Sequence, residues 1–118
     1  MILADTTVWI HHIHRSRADL VEYLMEGRVL SHPFLIGELA CGRIRGREEL
    51  LAALCALPAA RLSSHEEAIS MVDRHSLAGR GLGWVDVHLL AAARLSGALL
   101  LTDDRALRAA AQDLGIAA

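Results

Sequence analysis

The chain has 118 residues and a mass of 12.8 kDa, enough for one domain with its own core but not for two. Hydrophobic residues make up 53% and charged residues 22%, which excludes an intrinsically disordered chain. No apolar run approaches the ~20 residues of a membrane-spanning helix, and the N-terminus lacks the basic region of a signal peptide. We therefore expect a single domain over residues 1–118 that works in the cytoplasm without a membrane partner.

All 12 basic residues are arginine, and lysine is absent. This excludes P-loop NTPases, whose lysine contacts the β- and γ-phosphates, and enzymes that form a Schiff base on lysine. The net charge of −2 is not that of a general nucleic-acid-binding protein, although a basic rim could surround an acidic pocket. Cys41 and Cys55 lie in apolar sequence without CxxC spacing, which predicts a reduced, buried pair.

In the first half of the chain, short apolar segments alternate with helical patterns. A strand is predicted at residues 1–4, followed by a short helix over 8–12 that Thr6 and Thr7 can cap, and by a helix over 18–26. After a minimal strand at 29–30, a helix starts at Pro33 and is broken at Gly46, and a second helix runs over 48–57.

The same alternation continues in the second half. Residues 61–62 could add a strand, and Ser64 with Glu67 predicts a capping box for a helix over 65–76. A glycine-rich loop at 79–83 leads to a helix over 84–95 and to an all-apolar strand over 98–101, typical of a central parallel strand. Asp103 or Asp104 opens a final helix ending at Leu114, and residue 116 could add an edge strand. These elements predict an α/β fold, a short parallel sheet sandwiched between helices (α/β/α).

Four acids lie at the ends of these elements: Asp5 after the first strand, Glu38 in an apolar helix, Asp86 in a first helical turn and Asp104 after the last strand. Loops after the carboxyl ends of parallel strands meet in one crevice, so Asp5 and Asp104 would meet if their strands are neighbours. Each acid also has a structural alternative: a helix cap for Asp5 and for Asp104 or Asp103, a solvated position for Glu38, and a dipole partner for Asp86.

Clustered carboxylates repel one another, and each would have a raised pKa unless a cation neutralised them. Mg²⁺ and Mn²⁺ are the natural cations, because they take oxygen ligands and keep waters in place. Such a metal lowers the pKa of a bound water and stabilises the attacking and leaving oxygens of a phosphodiester. If the topology brings the acids together, they fit a divalent-metal site with this chemistry.

Four segments carry this pattern in order along nearly the whole chain: residues 2–10 (ILADTTVWI), 32–42 (HPFLIGELACG), 83–92 (GWVDVHLLAA) and 100–105 (LLTDDR). Together they resemble the PIN-domain nucleases, and within them the VapC toxins of bacterial toxin–antitoxin pairs. The resemblance implies a Mg²⁺- or Mn²⁺-dependent endoribonuclease that cuts structured RNA, such as tRNA or rRNA, and inhibits translation. It also implies a cognate VapB-like antitoxin as partner and a homodimer.

The resemblance assigns the catalytic and metal-binding roles residue by residue, to Asp5, Glu38, Asp86 and Asp104, with Asp5 and Asp86 in direct contact with the metal. Asp104 is preferred to Asp103 because the family acid stands two residues after Thr102, which leaves Asp103 as a support or a helix cap. Thr6 or Thr7 matches the hydroxyl residue that orients the first acid.

Two positions depart from the family pattern. Many members carry another acid and then an aromatic residue after Arg105, where this chain has Ala106 and Leu107; this departure concerns a second metal, not the first. His11 stands where an acid is frequent in close relatives.

Basic and aromatic residues are the remaining candidates for RNA contacts. Four arginines are either a solvated face or contacts to the RNA backbone: Arg43, Arg45, Arg80 and Arg105. Trp84 is expected in the core rather than in base stacking, and His88 as a packed helix residue.

Three other interpretations of the sequence compete with the nuclease. A catalytically silent PIN-like module that binds RNA or an antitoxin is the main alternative. An aspartyl phosphotransferase is disfavoured because it needs a second Asp where this chain has Thr7, and a lysine. A zinc site at His11, His12 and His14 is disfavoured because no cysteine is near and adjacent helix positions point in different directions.

Overall fold

A three-stranded parallel sheet forms the centre of the protein. The computed structural model describes all residues from 1 to 118. Its strands are β1 (Ile2–Ala4), β2 (Val29–Leu30) and β3 (Leu99–Leu101), in the order β2-β1-β3. The strand over 98–101 was expected at the centre of the sheet, but β1 holds that place and Leu99 on β3 is 40% exposed. The sequence of β3 is nevertheless apolar throughout. A single bridge from Leu100 to Ala117 extends the sheet beyond β3, so this strand is not a fully open edge.

Seven helices surround the sheet: α1 (Thr6–His14), α2 (Ala18–Met25), α3 (Pro33–Ala40), α4 (Arg47–Ala56), α5 (His65–Arg74), α6 (Trp84–Leu95) and α7 (Arg105–Asp113). Successive side chains of a strand point to opposite faces of a sheet. All three side chains of β1 are buried, so both faces of the sheet are covered. The predicted α/β/α class is confirmed.

Helix α6 is the most deeply buried helix and packs directly on the sheet. Its residues 87–93 are all buried, and it packs on both β1 and β3. Its bounds agree with the sequence prediction because Gly83 and Gly97, on either side, end the apolar pattern. No helix of the molecule is long and apolar enough to span a bilayer, and α6, the longest, has 12 residues.

Two local predictions were wrong at helix ends, and one open choice is decided. The threonines do not cap α1; Asp5 does, as its structural alternative allowed, because its Oδ1 accepts a hydrogen bond from the Val8 N–H. Helix α3 ends at Ala40, well before Gly46, whose left-handed backbone (φ 66°) instead starts α4. Of Asp103 and Asp104, which the sequence left open, Asp104 caps α7.

Two further predictions were wrong, one for the cysteines and one for residues 61–62. Cys41 and Cys55 are free thiols, as expected, but both are exposed rather than buried. Helix α4 buries only Leu54 fully, so its neighbour Cys55 turns outward. Residues 61–62 form no strand; the extra pairing beside β2 is a single bridge between Ser31 and Ala59.

Candidate active site

The first acid lies where two parallel strands end side by side. Ala4 on β1 pairs with Leu101 on β3, so the next residues, Asp5 and Thr102, leave the sheet together at its carboxyl edge. The Asp5 N–H donates to the Leu101 carbonyl at 3.0 Å. Because β2 and β3 lie on opposite sides of β1, this is a topological switch point, the place where open α/β sheets bind ligands.

Asp5 is held rigidly at this edge. Its Oδ2 accepts a 2.6 Å bond from the Thr102 hydroxyl, and its Oδ1 accepts bonds from the Thr7 hydroxyl at 2.5 Å and from the Val8 N–H at 3.2 Å. Burial raises the pKa of Asp5, while the bonds from Thr102, Thr7 and Val8 act in the opposite direction without cancelling it. The result is an oriented carboxyl with a raised pKa, which a neighbouring cation would lower.

The two threonines at the start of α1 serve different acids. Thr7 donates to Asp5, whereas the Thr6 hydroxyl donates to Glu38 Oε1 at 2.6 Å. Glu38 lies on α3, which packs against both α1 and α6. The sequence left open which threonine orients the first acid, and the structure gives that contact to Thr7.

Asp86 lies in the first turn of α6. Its Oδ2 accepts a 2.9 Å bond from the Gly83 N–H. Burial, followed by the negative charges of Asp104, Asp5 and Glu38, raises the pKa of Asp86, against the opposing effect of the Gly83 bond. Since all three other acids act on Asp86, the four carboxyl groups share one region, which we call the acidic cluster.

Asp104 joins the acidic cluster through the start of α7. Its Oδ1 accepts a 2.8 Å bond from the Leu107 N–H, and its own N–H donates to the Thr102 hydroxyl at 3.0 Å. Thr102 therefore bridges Asp5 and Asp104. The structure thus brings together all four acids that the sequence singled out.

The donor set of the acidic cluster fits a hard divalent cation. No arginine or histidine forms an ion pair with any of these four carboxyl groups. Glu38, Asp86 and Asp104 each keep one oxygen without a hydrogen bond. No three of these side chains converge on one point as they stand. Mg²⁺ sites in proteins are often built from one or two carboxylates together with waters.

Three helices begin at the acidic cluster. Asp5 caps α1, Asp86 lies in the first turn of α6, and Asp104 caps α7. Each helix N-terminus carries a partial positive charge and unpaired N–H groups, which favour carboxylates and phosphates. These helix ends explain in part how the four acids are tolerated together.

Asp103 lies near Asp5, whose pKa its charge also raises, but its carboxylate is paired with basic residues. Arg17 Nη1 lies 2.7 Å from both of its oxygens, and His11 Nδ1 lies 3.2 Å from Oδ2. Burial opposes the effect, but the bonds from His11 and Arg17 lower the pKa of Asp103 overall. Its backbone N–H donates to the Thr7 hydroxyl at 3.0 Å, so Asp103 supports the threonine that orients Asp5. Arg17 carried no recognisable signal in the sequence.

The predicted RNA-contacting arginines fall into two groups. Arg43, Arg45 and Arg105 are exposed and form no ion pair, whereas Arg80 pairs with Asp113 at 2.9 Å. Sequence reasoning missed Arg108, whose Nη2 donates to the Thr102 carbonyl at 2.7 Å. The i to i+3 spacing of Arg108 and Arg105 on α7 was the only signal that could have suggested it.

Trp84 differs from its expected place in the core. It is 40% exposed, because it is the first residue of α6 and lies at the rim where that helix emerges from the core. His88, one turn later, is 6% exposed and packs as expected.

Comparison with known proteins places this geometry in a family. A family model described as PIN domain matches residues 2–113. Ribonuclease VapC32 of Mycobacterium tuberculosis (strain CDC 1551 / Oshkosh) is 43% identical over 118 residues, which cover 99% of this chain and 95% of that protein. Ribonuclease VapC32 of strain ATCC 25618 / H37Rv is similar to the same extent.

Proposed function

The chain belongs to the PIN-domain family and to its VapC group, and from this premise we propose a toxin of a toxin–antitoxin pair that cuts RNA internally. It hydrolyses phosphodiester bonds in structured RNA, such as tRNA or rRNA, and so inhibits translation. The observation that supports this proposal best is the acidic cluster at the carboxyl edge of the sheet. The name ribonuclease, which both relatives carry, supports the same chemistry.

We propose that a Mg²⁺ or Mn²⁺ ion is held by the acidic cluster, with Asp5 and Asp86 in direct contact and Glu38 and Asp104 completing the site. When bound, such an ion supplies a water of lowered pKa and neutralises charge that builds up on the phosphate. The mutual repulsion that raises the pKa of Asp86 supports this assignment, because a cation would relieve it. Ala106 offers no carboxylate for a second ion.

The protein's own groups then have separate tasks. Thr7 and Thr102 fix the Asp5 carboxylate, so that its lone pairs keep one direction throughout the reaction. Glu38 is exposed, and its free Oε2 positions the attacking water or the ion. The N-termini of α6 and α7 favour the negative charge of the phosphate.

Partners and compartment follow from the same proposal. A VapB-like antitoxin blocks the acidic cluster until it is removed, and the toxin works as a homodimer in the cytoplasm, where its RNA is found. Arg43, Arg45 and Arg105 hold the RNA backbone, because their guanidinium groups are exposed and free of acidic partners. Arg80 contributes only if the RNA displaces Asp113.

Cleavage of total bacterial RNA by purified protein, free of antitoxin, tests the proposal. With Mn²⁺ or Mg²⁺ we expect discrete products that disappear with EDTA and with Asp5→Asn. The matched control is Asp73→Asn, which removes an exposed carboxylate on α5 and leaves cleavage unchanged.

A binding module without catalysis is the competing function, and the absent acid at residue 106 is the observation that favours it. No cleavage with either metal, from protein that still binds RNA or an antitoxin, would establish that alternative. Full activity of Asp5→Asn would instead overturn the assigned chemistry.

A further inference from the structure

Four rings in edge-on or tilted contact lie on α3, α5 and α6, and we call them the aromatic patch: Phe34, His65, Trp84 and His88. The His88 ring centroid lies 4.7 Å from that of Phe34 and 4.6 Å from that of Trp84, both in edge-on contact. His65 lies 5.2 Å from Trp84 on the other side. Phe34 and Trp84 are each 40% exposed, although they belong to a chain with only 3% aromatic residues.

The aromatic patch is rigid because its base is buried. His88 is 6% exposed and wedges its ring between Phe34 and Trp84, at interplanar angles of 63° and 86°. Behind Phe34, the 2% exposed His32 caps α3, with its Nδ1 accepting the Phe34 N–H at 3.0 Å. The two exposed rings are therefore fixed before any ligand arrives.

The two exposed rings of the patch belong to Phe34 and Trp84, which carry no ionisable group. Behind them, burial, and secondarily His88, lowers the pKa of His32 to about 4. Exposed aromatic rings without a charge fit the face of a nucleobase and do not fit a phosphate.

The patch and the acids share two elements, α3 and α6. Asp86 folds back to the Gly83 N–H, the residue directly before Trp84. On α3, Glu38 follows Phe34 by four residues, a spacing that places both side chains on the same face of the helix. A nucleotide whose phosphate lies at the acidic cluster can thus reach the patch with its base.

We propose that Phe34 and Trp84 form a stacking platform for unpaired nucleobases next to the scissile phosphate, and that this platform selects single-stranded segments of RNA. The proposal rests on the proposed ribonuclease function. Bases in loops are unstacked and available, and proteins bind them by stacking on aromatic side chains. Trp9, by contrast, is 4% exposed and belongs to the core.

Binding of a short, fluorescently labelled single-stranded RNA oligomer tests the platform. The full chain is used in EDTA, so that cleavage does not interfere, with a second oligomer of the same length that lacks bases. We expect Trp84→Leu and Phe34→Leu each to weaken binding of the base-bearing oligomer about fivefold or more. Binding of the abasic oligomer should not change.

Two further variants separate stacking from folding. Trp84→Phe keeps an aromatic ring and should retain most of the affinity. Met25→Ala removes an 84% exposed apolar side chain at the end of α2 and should bind like the wild type. Thermal denaturation of each variant checks that it is folded.

Three results would overturn the platform. One is equal binding of the base-bearing oligomer by the wild type and by Trp84→Leu. If the wild type still cleaves RNA, this result removes the platform and leaves the proposed ribonuclease function standing. A second is absence of RNA binding by the wild type, which together with absent cleavage would remove the proposed function as well. The third is conversion of a dimer to a monomer by Trp84→Leu with RNA affinity unchanged, which would make the patch an interface between two copies.

Discussion

At the scale of single residues, Asp86 is an acid on which the charges of the three other members of the acidic cluster act. Burial and the charges of three other acids raise its pKa above the ordinary value of 3.8. A carboxyl with a higher pKa in the folded state binds more protons when folded than when unfolded. The free energy of unfolding therefore falls as the pH rises from 3.8 through the raised pKa, and it stays lower above that range.

Because the ionisation of Asp86 lowers the free energy of unfolding, we predict that Asp86→Asn is more stable than the wild type at neutral pH without divalent ions. The amide oxygen still accepts the Gly83 N–H bond, and the repulsion is gone. We expect a gain of about 0.5–1 kcal/mol, which for a domain of this size raises the Tm by about 2–8 °C. Thermal denaturation in EDTA measures it.

Addition of Mn²⁺ or Mg²⁺ should make the wild type the more stable of the two proteins, because an ion that binds only the folded state stabilises the wild type more than Asp86→Asn. Asp73→Asn, at an exposed position on α5, is the matched control and should respond to the ions like the wild type. A variant Asp86→Asn that is less stable than the wild type in EDTA would contradict the repulsion.

At the scale of elements, α7 depends on an acid that also belongs to the acidic cluster. Asp104 accepts the Leu107 N–H at 2.8 Å and so satisfies one of the free N–H groups at the start of the helix. We predict that Asp104→Ala lowers the free energy of unfolding by about 1 kcal/mol and abolishes cleavage. Asp104→Ser should keep most of the stability, since serine caps helices well, and still lose cleavage.

Urea denaturation and RNA cleavage, measured on both variants, separate the two roles of Asp104. Ser64→Ala at the capping box of α5 is the control, because it should lose similar stability and keep full cleavage. If Asp104→Ser cleaves RNA like the wild type, Asp104 is a helix cap only.

The elements also show what the sequence could and could not predict. Local rules found α6, bounded by two glycines, and the capping box of α5. The sequence offered cap and functional acid as alternatives for Asp5 and Asp104, and in the structure both cap helices that begin at the acidic cluster. The exposure of Trp84 and the bond from Arg17 to Asp103 depend on contacts between distant segments, which periodicity does not record.

At the scale of the whole molecule, the charge is unevenly distributed. The net charge is −2, and four of the 14 acids form the acidic cluster. RNA must therefore be attracted by arginines that lack acidic partners. Arg43 and Arg45 are two such residues, in the turn between α3 and α4 that follows the helix of Glu38.

We predict that the double variant Arg43→Gln and Arg45→Gln binds RNA more weakly and with a smaller salt dependence. Each lost phosphate contact reduces the slope of log affinity against log salt concentration by about 0.7–0.9, so two contacts reduce it by about 1.4–1.8. The cleavage positions should not change, because backbone contacts hold the RNA without reading its sequence. Fluorescence anisotropy over a salt series in EDTA, with mapping of cleavage ends in Mn²⁺, measures both quantities.

Arg28→Gln removes one positive charge, half the change of the double variant, at the opposite edge of the sheet, since Arg28 directly precedes β2 at its amino end. The Arg28 side chain already lies 3.3 Å from Glu26 and over the ring of Tyr23. Its variant should keep the slope of the wild type, which separates a local contact from a general effect of net charge. Equal slopes for all three proteins would place the RNA away from the turn between α3 and α4. A reduction in Arg28→Gln half as large as that in the double variant would instead mean that RNA responds to the charge of the molecule as a whole, with no arginine contact at that turn.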